Sequence, residues 1–114
     1  MARAATTADV FNAIAEPRRR QLVDVLARRG ALAVGTLVGT LGLPQPAVSK
    51  HLGVLRKVGL VAVTKQGRQR LYNFEAAKLK PVHDWVATFE QMWSHQLDRI
   101  KARAERRAGE QADS

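Results

Sequence analysis

Gln45, Ser49, Lys50 and His51 lie within seven consecutive residues and between them offer an amide, a hydroxyl, an ammonium and an imidazole. Groups of this kind suit hydrogen bonding to the edges of nucleobases: Gln pairs bidentately with adenine, Lys donates to guanine, and Ser serves base or phosphate. Pro46 and Ala47 sit among them, and the Ala47 methyl matches the methyl of thymine. Arg56, Lys65, Arg68 and Arg70 follow, cations of the type that meet phosphate oxygens or a narrow minor groove. A plainer reading stands beside each: Gln45 as a helix cap, His51 as a packed or solvated ring, the arginines as solubilising surface.

The charge distribution favours the first reading. The 114 residues carry a formal net charge of +9, with an isoelectric point near 11.1, which implies a polyanionic partner, either nucleic acid or an anionic membrane surface. Residues 25–74 contain no Asp or Glu, yet hold Arg28, Arg29, Lys50, Arg56, Lys57, Lys65, Arg68 and Arg70. All ten acids lie outside that window. Arg18, Arg19 and Arg20 read as the solvated face of a helix, as do the arginines of 103–107.

Other function classes find little support. There is no cysteine, hence no disulfide, thiol nucleophile or thiolate metal site, as expected for a cytoplasmic protein. Neither a Gly-rich phosphate loop nor a compact pair of carboxylates is present, so no catalysis and no cofactor are expected. No apolar run reaches the ~18–20 residues that span a bilayer, and no apolar leader segment opens the chain.

The reading groups need rigid carriers. Thr7, Asp9 and the apolar Val10, Phe11 and Ile14 predict a helix over 8–15; Pro17 stops it and opens a second helix over 17–29, ended by Gly30. Residues 31–33 suit a brief edge strand, and Val34, Leu37, Val38 and Leu41 the stripe of a short third helix. After the Gly42-Leu43-Pro44 turn, a fourth helix begins near Pro46, with Val48, Leu52, Leu55 and Val58 inward and Ser49, Lys50, Gly53, Arg56 and Lys57 outward. A β-hairpin over 60–74 follows, with Lys65-Gln66-Gly67-Arg68 as its basic turn.

Val82, Trp85, Val86, Phe89, Met92 and Trp93 then mark one long amphipathic helix over 81–107, more apolar than so small a domain can cover. With Phe11 they are the expected homodimer contacts. The expected architecture is mostly α with a small β-hairpin wing: a winged helix-turn-helix with dimerisation helices at both termini. A loose tail (1–7) leads a single domain over 8–108, made of a helix-turn-helix (34–59), a wing (60–74) and a dimer helix (81–107), and a frayed tail (109–114) closes it.

The string Gln45-Pro46-Ala47-Val48-Ser49-Lys50-His51-Leu52, continuing through Leu55 to Gly59-Leu60-Val61, with Lys65-Gln66-Gly67-Arg68 and Leu71-Tyr72 behind it, resembles the ArsR family of bacterial winged-helix repressors. Ala15-Glu16-Pro17-Arg18-Arg19 is similar to the opening between that family's first two helices. The resemblance implies a homodimeric repressor on a pseudo-palindromic double-stranded DNA operator, released by an effector whose chemistry the residues leave unidentified. It also implies two metal-ligand positions to check. At the third-helix site Ala33 and Gly35 stand where metal-sensing relatives carry cysteines, and on the dimer helix only Asp84, His95 and Asp98 remain as weak candidates. Trp85, Phe89 and Trp93 look more like the non-metal, SdpR-like branch. The competing readings are a zinc-type metal-responsive repressor working through the C-terminal helix and a sequence-neutral nucleic-acid-binding winged helix.

Overall fold

The computed structural model describes residues 6–113, in two compact units that divide between Val82 and His83. In the first unit, α1 (Thr6–Ala15) and α2 (Pro17–Arg29) meet at a sharp elbow. Pro17 takes the first turn of α2, where its missing N–H costs nothing, and the Glu16 carboxylate accepts a 2.8 Å hydrogen bond from the Arg18 N–H as the N-cap. Helix α1 starts earlier than the sequence suggests, so Thr6 and Thr7 of the expected tail are helical. The remainder of that tail, residues 1–5, lies outside the described residues.

Helices α3 (Val34–Leu41) and α4 (Gln45–Lys57) form the helix-turn-helix, and α2 packs against both. Gly42 makes the turn possible: at φ 66° it sits in the left-handed region, and its N–H reaches back 2.9 Å to the Val38 carbonyl, closing α3. Pro44 then caps α4, which begins one residue before the expected Pro46. At its far end Leu60 donates to the Leu55 carbonyl across Gly59, and the buried Leu60 side chain pins the chain where it turns into the hairpin.

The hairpin pairs β1 (Val61–Gln66) antiparallel with β2 (Gln69–Phe74), with Gln66 opposite Gln69. The turn is therefore Gly67-Arg68 alone, tighter than the four residues expected. Gly67 at φ 60° and Arg68 with negative φ match a type II′ connection, whose twist fits the strands. Leu32 adds a single rung to the sheet, exchanging hydrogen bonds of 2.9 and 2.8 Å with Tyr72, which is the short edge pairing that 31–33 foreshadowed.

The core of this unit is wholly apolar among the described residues. Leu22 and Leu26 from α2, Leu37 from α3, and Val48, Leu52 and Leu55 from α4 meet Val10, Ala13, Leu60 and Val61. Phe74, Leu79 and Val82 pack on its margin, so Val82, expected at the dimer contact, lies partly against its own unit. A 3₁₀ turn (Ala76–Leu79) leads into α5 (Lys80–Ala87).

The expected continuous helix over 81–107 is instead two, α5 and α6 (Glu90–Asp113). The Thr88 hydroxyl takes the Trp85 carbonyl at 2.6 Å, and the Thr88 and Phe89 amides bond three residues back rather than four. A β-branched residue whose hydroxyl competes for the backbone acceptor favours a break at this point. In the second unit α6 continues past Gly109 to Asp113, where a frayed tail was expected. Ala108, Glu110, Gln111 and Ala112 are strong helix formers and outweigh one glycine.

Candidate nucleic-acid interface

Helix α4 buries Val48, Leu52 and Leu55 on one side, which fixes what faces outward. Gln45, Ser49, Gly53 and Arg56 run along that outward side at helical spacing, with Pro46, Lys50 and Lys57 beside them, and all are exposed. No acidic residue interrupts this surface. The N-cap position of α4 is held by Pro44 and Gln45 is the first residue of the helix, so the cap reading of Gln45 falls away. Ala47 is half-buried at the edge of the face.

His51 is not part of it. Residues two apart on a helix point ~200° apart, which turns His51 away from both Ser49 and Gly53. The ring is half-buried, and its Nδ1 is sealed from solvent with no hydrogen-bond partner among the described residues. It faces the α1–α2 elbow. The Glu16 carboxyl there is held below the usual carboxylate range chiefly by the Arg18 N–H; partial burial opposes this, and the charges of His51, Arg19 and Arg18 assist. As a base-reading candidate His51 is therefore turned away from Ser49 and lies on the half-buried flank of α4 beyond Lys50.

The elbow also reassigns two arginines. Arg19 donates through Nε to the Ala13 carbonyl and through Nη2 to that of Asn12, while Arg20 Nη1 donates to Ile14 at 2.7 Å and Ala15 at 3.2 Å. These are the carbonyls of the last turn of α1, so Arg19 and Arg20 form its C-terminal cap rather than a solvated face. Their signal in the sequence was the Glu16-Pro17 break, which leaves α1 without a glycine stop and puts two long donors within reach.

The wing carries the second cationic cluster. Its base is packed and its tip exposed. The register sets Lys65 directly opposite Arg70, with Arg68 in the turn between them. Like charges facing each other across a strand pair destabilise it, and no carboxylate in the window from 25 to 74 relieves them. The free protein thus sets Lys65 and Arg70 side by side on the exposed half of the hairpin, with Arg68 in the turn next to them.

Residues 16–63 match the family description "bacterial regulatory protein, arsR family". Over 75 residues, 66% of this chain and 84% of its relative, the sequence is 32% identical to an HTH-type transcriptional regulator of Methanocaldococcus jannaschii. This chain belongs to the ArsR family. It is accordingly a helix-turn-helix transcriptional regulator. It is also 26% identical to the transcriptional repressor SdpR of Bacillus subtilis, over 71% of this chain and 89% of that protein. Among solved structures it resembles the homodimeric winged helix-turn-helix DNA-binding domain of a possible ArsR-family regulator from Mycobacterium bovis. The TM-score is 0.61 at 28% identity, and the match covers 79% of this chain and 84% of that one.

Of the two metal positions that the resemblance implies, the third-helix one is without ligands here. Ala33 and Gly35 offer no donor side chain, and no three His, Asp or Glu cluster among the described residues. His83 Nδ1 lies 3.2 Å from Asp84, while His95 and Asp98 sit one turn apart on α6. No described helix is long and apolar enough to cross a membrane.

The expected dimer residues separate by unit. Phe11 is half-buried on α1. On α5 and α6, Trp85 is 56% exposed, Met92 71% and Trp93 44%, with Val86 of α5 and Phe89 of the turn between the two helices also open. Trp85 and Phe89 stack edge to face at 5.3 Å. Leu97 and Ile100 extend the exposed stripe; Leu97 follows Trp93 by one helical turn and was not among the expected contacts.

Proposed function

We propose that this ArsR-family chain is a homodimeric repressor that reads a pseudo-palindromic operator. Gln45, Ser49, Lys50 and Arg56 of α4, with Pro46 and Ala47 at its start, enter the major groove, and Lys65, Arg68 and Arg70 of the wing hold the flanking phosphates. One observation carries the reading: an outward helix face without acids, in the same unit as a wing whose register forces Lys65 against Arg70. The chain performs no catalysis in this reading and works in the cytoplasm.

Self-association is proposed from the exposed Trp85, Val86, Phe89, Met92 and Trp93, because a stripe of this kind on a charged protein needs a cover; Phe11, in the first unit, is proposed as a further dimer contact in its own right. The named homodimeric relative supports it. An effector, if small and largely apolar, has a seat of about 250 Å³ between Ile14, Val23, Leu79 and Val82, rimmed by Arg20 and Asp24.

Selection of bound fragments from genomic DNA, followed by footprinting, tests the whole reading. Two protected half-sites about one helical turn apart are expected. Uniform protection of unrelated DNA would replace it with sequence-neutral binding, and release only on adding Zn²⁺ would restore the metal-responsive alternative. Sedimentation at micromolar concentration should give twice the 12.6 kDa chain mass; a monomer there refutes the dimer.

A further inference from the structure

On a helix surface the neighbours of residue i are i−4, i−3, i+3 and i+4. For Gly53 these are Ser49, Lys50, Arg56 and Lys57, a hydroxyl and three cations, all exposed. The middle of the outward face of α4 is thus a bare patch of backbone ringed by hydrogen-bonding and basic side chains.

Nothing inside the protein requires a glycine there. Its φ lies outside the left-handed region, unlike that of Gly42 or Gly59, and a Cβ built on it meets no atom within 4 Å. Glycine is among the poorest residues in a helix interior and alanine the best, so the fold forgoes stability at a position where alanine fits. The same openness is found at Gly35 and Gly39 of α3 and Gly109 of α6; Gly53 alone stands on the outward face of α4, where a partner of that face would use the space.

We infer that Gly53 is the point of closest approach between α4 and DNA, and a depth-setting residue for operator recognition. An α-helix with its side chains is about 10–12 Å across and the major groove about 12 Å wide, so the fit leaves little clearance. With only hydrogen at position 53, the α4 backbone settles against the DNA surface, and the surrounding Ser49 and Lys50 come within hydrogen-bonding distance of base edges. A methyl there projects about 1.5 Å and holds the helix off, lengthening several contacts at once. This inference rests on the reading of α4 as the groove helix.

The test is Gly53→Ala, read in two ways, beside Lys50→Ala. Gly53→Ala should raise Tm by about 3–6 °C, while its operator affinity falls about tenfold or more. A stabilised variant that binds more weakly is an outcome that a folding defect cannot produce. If Gly53→Ala raises Tm and binds the operator as tightly as the parent, the inference is overturned. A lowered Tm would equally overturn it, since glycine would then serve the fold. Lys50→Ala separates the two levels: if it too leaves affinity intact, the groove assignment of α4 fails; if it alone weakens binding, only the role of Gly53 does.

Discussion

Neutralising one cation of the wing tip, by Arg70→Gln, should move binding and folding in opposite directions. Arg70 faces Lys65 across the hairpin on the exposed half of both strands. In the free protein the change relieves a like-charge pair, so the thermal midpoint should hold or rise by about a degree or two. On DNA the same change removes one phosphate contact, which releases about 0.9 of a counterion and flattens the slope of log affinity against log salt by about that amount. Between 50 and 200 mM NaCl, that slope change amounts to a factor of about 3.5 in affinity. The variant should therefore lose most at low salt, and should lose equally on operator and unrelated duplexes, because backbone contacts position without specifying. Fluorescence anisotropy titrations of both duplexes across that salt range measure it. An unchanged slope, or a loss confined to the operator, would refute phosphate contact by Arg70.

Three further outcomes follow from the elbow between α1 and α2. Arg19→Ala removes donors from two terminal carbonyls of α1 and should cost about 1–3 kcal/mol in chemical denaturation; a cost near zero would return Arg19 to the solvated surface. The Glu16 carboxyl is held low, first by the Arg18 N–H, so its stabilising contribution is present above its unfolded value, about pH 4.3, and is lost as pH falls through the lower folded one. The stability gap between parent and Glu16→Gln should be constant above about pH 5 and close below about pH 4, and a gap independent of pH would contradict the capping role. His51→Ala should lower stability and weaken all DNA binding in parallel, because the ring packs toward the elbow; a loss of discrimination between operator and unrelated DNA would place His51 back among the base readers.

Much of this protein is determined by local chemistry, and that part was legible in the chain. The apolar spacing of Val48, Leu52 and Leu55 leaves only one way for α4 to face, which sets Ser49, Lys50, Gly53 and Arg56 outward before any fold is known. Gly42 and Pro44 allow no continuous helix between α3 and α4. The acid-free window from 25 to 74 is a property of composition and survives any arrangement.

What the tertiary structure decided are the cases where two local rules compete or where the partner is distant in sequence. His51 lies near the edge of the apolar stripe, so spacing alone could not choose between the groove and the interior; the fold half-buries the ring and seals its Nδ1 from solvent. Arg19 and Arg20 look like free surface charges until the elbow brings the end of α1 within reach of their side chains. Thr88 sits inside an unbroken amphipathic pattern, and only the structure shows the helix ending there, with the Thr88 hydroxyl donating to the Trp85 carbonyl. The opposition of Lys65 and Arg70 depends on a two-residue turn rather than a four-residue one, since register, unlike periodicity, is set by the geometry of both strands together.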